Sequence, residues 1–151
     1  MRGAVSLACL LLLVGCRTVP ELPPVDISQP GWEVRQGQAV WRPKAKAPEL
    51  SGELLWASHP DGRFLLQFLK TPITLVEAQG SEAGWQISFP PQGRSISGSG
   101  QPSERLGWLH LAGALQRRGI AAGWSFTQGN TRSWKFSNAR TGEMIEGYLA
   151  Q

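Results

Sequence analysis

Two short stretches near the C-terminus, Trp124-Ser125-Phe126-Thr127 and Trp134-Lys135-Phe136-Ser137, decide the fold class. In each stretch aromatic and polar residues alternate, which is the period of a β-strand with one apolar and one polar face. Gly129-Asn130 lies between them, and these residue types favour a turn. The two stretches therefore predict a β-hairpin whose Trp and Phe side chains lie on the same face.

The same alternation recurs upstream. It is clearest in Trp85-Gln86-Ile87-Ser88-Phe89, whereas the stretch from Phe64 to Leu69 is apolar on both faces apart from Gln67, which predicts a central strand covered on both sides. Connections are short and rich in Gly, Pro and Asn, so neighbours in sequence are expected to pair as an antiparallel meander. The predicted strands lie near residues 31–42, 51–58, 63–70, 73–79, 84–89, 94–98, 122–128, 132–138 and 143–149.

One segment has the period of a helix instead. Pro102-Ser103-Glu104 favours a helix start, and apolar residues follow at helical spacing, at Trp108, Leu111, Ala112 and Leu115. An amphipathic helix is predicted near residues 103–118, covering the concave aromatic face of the sheet. The predicted fold class is therefore mainly β (α+β), an antiparallel meander that forms a curved sheet or half barrel with one helix.

The N-terminus has the features of an export signal. A basic start is followed by the apolar stretch from Ala4 to Val14, which is shorter than the about 20 residues that a membrane-spanning helix needs. Leu13-Val14-Gly15-Cys16 resembles the lipobox of bacterial lipoproteins. The resemblance implies that residues 1–15 are a signal peptide and that a lipid such as palmitate is attached to Cys16. The alternative is an ordinary signal cut near Gly15, which would leave Cys16 as a free thiol.

Arg17 and the prolines that follow it predict how the domain is attached to a membrane. In the lipoprotein sorting pattern that this motif resembles, a residue other than aspartate after the cysteine implies the outer membrane, here facing the periplasm. Residues 16–30 contain four prolines and are predicted to be a lipidated N-terminus and extended tether, with a reach of about 40 Å. The alternative is that part of this segment pairs as an edge strand. Residues 31–151 are expected to form a single domain.

Composition and motif spacing argue against several functions. The formal net charge is +4 with the cations scattered along the chain, so no nucleic-acid partner is expected. His59 and His110 are not spaced to gather further metal ligands, so no metal site and no cofactor apart from the covalent lipid are expected. Glu143 and Glu146 would point to opposite faces of a strand and could not share one substrate. No catalytic residue is identified, and the protein is not expected to be an enzyme.

The seven Trp and five Phe residues are the remaining signal. One interpretation is that they pack the helix against the sheet in an ordinary core. The other is that one helix cannot cover the whole sheet and leaves an apolar cleft for an acyl chain. The candidate ligand-binding residues are Trp85, Ile87, Phe89, Trp108, Leu111, Leu115, Trp124, Phe126, Trp134 and Phe136.

A lipobox, a tether, an antiparallel meander and a late helix together resemble the LolA/LolB-like superfamily. The resemblance is clearest in Phe64-Leu65-Leu66-Gln67-Phe68 with Pro72, and in Trp85 through Gly98 leading to the helix. It implies an open half barrel closed by helical lids, in proteins that carry lipoproteins to or into the bacterial outer membrane. This chain is shorter than those carriers and has one predicted helix where they have several.

A further set of residues resembles a smaller lipoprotein branch: Trp41, Trp134 to Phe136, Thr141-Gly142-Glu143 and Glu146-Gly147-Tyr148-Leu149. The expected function is that of an outer-membrane-anchored lipoprotein that binds acyl chains or lipoprotein cargo in an apolar cleft, in lipoprotein localisation. The expected partners are the membrane, through the lipid anchor, and that cargo. The alternative is a structural or interaction lipoprotein of the cell envelope, with a filled core and an envelope protein as partner.

Overall fold

The computed structural model describes residues 21–129 and 132–150. The signal peptide predicted at 1–15 and the lipid attachment predicted at Cys16 lie outside the described residues. The strands are β1 Glu33–Arg42, β2 Leu50–Ser58, β3 Phe64–Lys70, β4 Ile73–Ser81, β5 Gly84–Phe89, β6 Arg94–Gly98, β7 Trp124–Gln128, β8 Ser133–Asn138 and β9 Met144–Leu149. The helix α1 is Gly107–Leu115.

The strands form one curved, unclosed antiparallel sheet in the order β6-β5-β4-β3-β2-β1-β9-β8-β7. Each strand begins and ends within two residues of its predicted bounds. Strands that are neighbours in sequence pair as hairpins, apart from the interruption by α1 between β6 and β7. The predicted fold class, a mainly β curved sheet with one helix, is confirmed.

The pairing of β1 with β9 joins the two halves of the sheet and was not predicted. It depends on glycines, because a Cβ on Gly37 would lie 1.8 Å from the Tyr148 carbonyl oxygen and one on Gly147 would lie 2.2 Å from the Gln38 carbonyl oxygen. Only a residue without a side chain allows the two backbones to approach this closely. These two glycines therefore fix where the halves meet.

We call the face that α1 covers the inner face and the opposite one the outer face. The inner face carries alternate residues of the strands, such as Leu54 and Phe68, and these are buried with the helix in one apolar core. The helix is shorter than the predicted span 103–118. The Leu106 N–H donates to the Ser103 carbonyl and closes a turn before the helix starts. Arg117, with φ of 57°, turns the chain away after the helix ends.

The outer face is partly covered by the segment from Glu21 to Pro30, which has no strand or helix. The Leu22 N–H donates to the Gln86 side chain at 2.9 Å, and the Gln79 side chain donates to the Leu22 carbonyl. Gln79 and its neighbour across the ladder, Leu65, are buried although they lie on the outer face. β3 is thus a central strand buried on both sides. The C-terminal part of the predicted tether is docked on the sheet, which limits its reach to the residues before Leu22.

Candidate functional site

The middle of the inner face is filled by the protein's own side chains. Trp108 of α1 is 1% exposed, stacks on Phe68 with 5.1 Å between ring centroids, and meets Trp41 edge-on at 5.5 Å. Leu111, one turn further along the helix, is fully buried. This part of the sheet is an ordinary core, as the first interpretation of the aromatic residues predicted.

The inner face is open beyond the C-terminal end of α1. The helix packs mainly against β3, β4 and β5, and its start also contacts Trp41 of β1 and Trp124 of β7. Past its C-terminal end, the adjoining parts of β1, β7, β8 and β9 have no helix over them in the described structure. A cleft of about 620 Å³ lies there, between the end of α1 and these strands. We call it the helix-end cleft. Its volume is within the range of about 300 to 1,000 Å³ that is usual for small-molecule sites.

Seven apolar side chains line the helix-end cleft. The Phe126 and Trp134 rings stack with centroids 6.4 Å apart. Ile120, in the loop after α1, is 49% exposed at the cleft, so it presents apolar surface to whatever enters. The seven residues are Ala114, Leu115, Ile120, Phe126, Trp134, Leu149 and Ala150.

The polar lining of the helix-end cleft is basic. Three arginines contribute to it: Arg35 from β1, Arg117 after α1 and Arg132 before β8. No Asp or Glu among the described residues lines it. Arg35 is bonded to the exposed carboxylate of Glu33, whereas neither Arg117 nor Arg132 forms an ion pair within the described parts of the chain. The cleft therefore combines an apolar surface with positive charge.

Trp134, which lines the cleft, also has a buried polar atom without a partner. The Trp134 side chain is 5% exposed, and its indole N–H has no hydrogen-bond partner in the described structure. A buried N–H that loses its bond to water costs free energy unless another acceptor replaces it. The Trp134 indole N–H is therefore an unsatisfied donor within the core.

The ten candidate residues from the sequence fall into three groups. Three of them, Leu115, Phe126 and Trp134, line the helix-end cleft. Two others, Trp85 and Phe89, are half-buried against the core on β5. The remaining five are buried in the core and do not line the cleft: Ile87, Trp108, Leu111, Trp124 and Phe136. A role of the last seven in ligand binding stays a prediction.

A second concave region, of about 810 Å³, lies mainly on the outer face. We call it the outer groove. It crosses β3, β2, β1, β9 and β8, and its lining includes Val40, Leu69 and Tyr148. An ion pair between Lys135 and Glu146, 3.8 Å apart, lies at one side of it. The outer groove is thus a mainly apolar surface depression, and two of its lining residues, Ala39 and Trp134, also belong to the core.

Glu143 is the buried carboxyl group of the inner face. The Trp41 indole N–H donates to its Oε1 at 3.0 Å, and the carboxyl touches the start of α1 at Gly107. Burial raises the pKa of Glu143 to about 7, and the bond from Trp41 opposes that rise only in part. Glu146, by contrast, lies on the outer face with Lys135. The structure thus confirms that the two carboxylates do not form a pair.

Comparisons with known proteins do not assign the chain to a family. Neither a scan against protein-family models nor a search of curated proteins finds a match. Across residues 21–129 and 132–150, no helix is long and apolar enough to cross a membrane, and no three His, Cys, Asp or Glu side chains are grouped as metal ligands. The resemblance to the LolA/LolB-like superfamily stays a prediction from the quoted residues.

Proposed function

We propose that this protein is a lipoprotein of the bacterial outer membrane that binds an acyl chain in the helix-end cleft. One observation carries the proposal: α1 packs over β3, β4 and β5 and leaves, beyond its C-terminal end, a cleft lined by both apolar and basic side chains. Had the single helix sealed the whole face, no room for a hydrocarbon chain would remain.

The energetics of the cleft are sufficient for a single acyl chain. Burial of each methylene group contributes about 0.8 kcal/mol, so ten methylenes contribute about 8 kcal/mol before the costs of association are subtracted. Phe126 and Trp134 offer flat aromatic surface on which such a chain can lie. We therefore expect the helix-end cleft to bind an acyl chain reversibly, as a protein that accepts and releases cargo must do.

The resemblance to the LolA/LolB-like superfamily supports a wider role in lipoprotein localisation. The cargo would be an acyl chain or an acylated protein, and the lipid predicted on Cys16 would hold the binding domain at the membrane. No catalytic step is proposed, because the buried Glu143 lies apart from Glu146 and bonds to the Trp41 indole.

The test uses the chain that begins at Arg17, because every strand and α1 lie within residues 21–150. Binding of lauroyl lysophosphatidylcholine, at concentrations below its micelle threshold, is measured by titration calorimetry and native mass spectrometry. The variant Phe126→Glu introduces a charge on the cleft surface. The matched control is Thr127→Glu, which introduces the same charge one residue later, on the outer face of the same strand.

Phe126→Glu is expected to weaken binding of the lysolipid at least tenfold, because a carboxylate would have to lose water beside the acyl chain. Thr127→Glu is expected to bind as the unmodified chain does. If Phe126→Glu folds and binds with unchanged affinity, the helix-end cleft is not the acyl site. If the unmodified chain binds no lysolipid, acyl binding itself is wrong.

A second candidate function is that of an envelope interaction protein. The filled middle of the inner face, with Trp108 packed between Trp41 and Phe68, favours it, and the outer groove offers a surface for contact. Full-length protein purified from membranes distinguishes the two candidates. Bound lipid beyond the covalent anchor supports the acyl binder, whereas a stoichiometric protein partner without bound lipid supports the interaction protein.

A further inference from the structure

Arg117 and Arg132 occupy backbone positions that glycine would fill at lower cost. Their φ angles are 57° and 54°, in the left-handed region, and only one other non-glycine residue of the described chain, Lys46, has a positive φ. A side chain with a Cβ is disfavoured there, and glycine is the usual residue at the equivalent position after a helix. Because the backbone of these two turns does not require an arginine, we looked to the surroundings of the two side chains for the reason that arginine is present.

Both arginines face the helix-end cleft although they come from separate turns. Arg117 follows α1, and Arg132 precedes β8, yet both contribute to the lining beside Phe126 and Trp134. Arg118, next in the chain, instead donates to the Gly62 carbonyl in the turn between β2 and β3. Of the adjacent arginine pair, one is thus used for packing between turns and the other lines the cleft.

A guanidinium group recognises anions with paired N–H donors, and phosphate and carboxylate match its geometry. The cleft adds Arg35 to the donors of Arg117 and Arg132. Glu33 neutralises Arg35 in part, so Arg117 and Arg132 supply most of the excess positive charge. The apolar surface of the same cleft indicates that an anion bound here would carry a hydrocarbon chain.

We propose that the helix-end cleft binds an anionic amphiphile, whose phosphate group lies against Arg117 and Arg132 while its acyl chain lies on Phe126 and Trp134. The inference rests on the proposed acyl-binding function and names the chemical class of its ligand. The two arginines select the headgroup, and the apolar residues hold the chain. A lipid phosphate and free inorganic phosphate share the chemistry that the arginines recognise, so the test must separate them.

The experiment compares three probes on the chain that begins at Arg17. Lauroyl lysophosphatidylglycerol and lauroyl lysophosphatidylcholine have the same chain, but only the first carries a net negative charge. Inorganic phosphate has the anion without the chain. Binding is measured by titration calorimetry at low ionic strength and again at 0.5 M salt, where charge interactions are screened.

We expect lysophosphatidylglycerol to bind at least tenfold more tightly than lysophosphatidylcholine, with most of the difference lost at high salt. Inorganic phosphate is expected to bind far more weakly than either lysolipid. The double variant Arg117→Gly and Arg132→Gly keeps both turns in a conformation that glycine accepts. It is expected to bind the two lysolipids within threefold of each other. The loss of affinity should be larger for lysophosphatidylglycerol than for lysophosphatidylcholine, whose phosphate is offset by the choline cation.

Arg94→Gln is the matched control for loss of positive charge, because Arg94 is exposed on the edge strand β6 and does not line the cleft. It should keep the tenfold preference. Equal binding of the two lysolipids by the unmodified chain, or a preference that survives in the double variant, would overturn the headgroup assignment alone. Tight binding of inorganic phosphate without a chain would replace the lipid with a free anion and also overturn it. Binding of neither lysolipid would instead refute acyl binding as a whole.

Discussion

Glu143 provides a sharp test of how the inner face is built. Its carboxyl group is buried beside the start of α1 with one hydrogen bond, from the Trp41 indole. Burial raises its pKa from 4.5 to about 7. A folded-state pKa above the unfolded value means that the native protein binds the proton more tightly than the unfolded chain does. The contribution of this group is therefore fully present below pH 4.5 and is lost as pH rises through about 7.

The size of that loss follows from the shift. One pKa unit corresponds to about 1.36 kcal/mol, so a rise from 4.5 to about 7 gives an upper value of about 3 kcal/mol. The free N–H groups at the start of α1 favour the charged carboxylate and reduce this value. We expect a loss of about 1.5 to 3 kcal/mol in the free energy of unfolding between pH 5 and pH 8.

The assay is urea unfolding of the chain that begins at Arg17, followed by tryptophan fluorescence across this pH range. In Glu143→Gln the side chain cannot ionise. Between pH 5 and pH 8 the free energy of unfolding of this variant should therefore fall by about 1.5 to 3 kcal/mol less than that of the unmodified chain. Glu146→Gln, which removes an outer-face carboxylate paired with Lys135, should follow the unmodified chain. Parallel curves for Glu143→Gln and the unmodified chain would refute the argument from burial.

Two further substitutions test the core and the turn after the helix. Trp108→Ala is expected to lower the free energy of unfolding by about 3 to 5 kcal/mol, because it opens a cavity between Trp41 and Phe68. Urea unfolding measures this loss, which should be smaller in Trp85→Ala because Trp85 is only half-buried. Equal losses in the two variants would contradict a core centred on Trp108. Arg117→Gly is expected to raise the free energy of unfolding by about 0.5 to 1 kcal/mol, because glycine removes the conformational cost at a φ of 57°. Thermal unfolding measures this gain in stability, which the control Arg118→Gly should not show. A loss of stability in Arg117→Gly would mean that the Arg117 side chain supports the fold.

The strands could be predicted because their alternation is local. Trp124, Phe126, Trp134 and Phe136 lie on the inner face as the period of two requires, and two of these four line the cleft. The register between β1 and β9 could not be predicted, because it joins residues about a hundred positions apart through backbone hydrogen bonds that carry no sequence pattern. Gly37 and Gly147 were the available signal, since each marks a close approach of two strands.

The charged half of the cleft was missed for a different reason. Arg117 and Arg132 lie in turns, where side-chain direction follows from the backbone angles and not from a repeating period. The signal that could have revealed them is the type of residue: an arginine directly after a helix, or in the turn of a hairpin, where glycine or asparagine is usual. The docking of the Pro-rich segment was missed for a similar reason, because its partners Gln79 and Gln86 lie far along the chain.

The docked segment determines how the cleft would be presented at a membrane. Leu22 is held on the outer face at β4 and β5, and it lies six residues after Cys16. Six residues of extended chain reach at most about 20 Å. A lipid on Cys16 would therefore keep the outer face of β4 and β5 near the bilayer, whereas the helix-end cleft opens on the inner face, among β1, β7, β8 and β9. If Cys16 carries the predicted lipid, the chain would be held at Leu22, on the face opposite the cleft, and the cleft would be open to cargo that approaches from the periplasmic side.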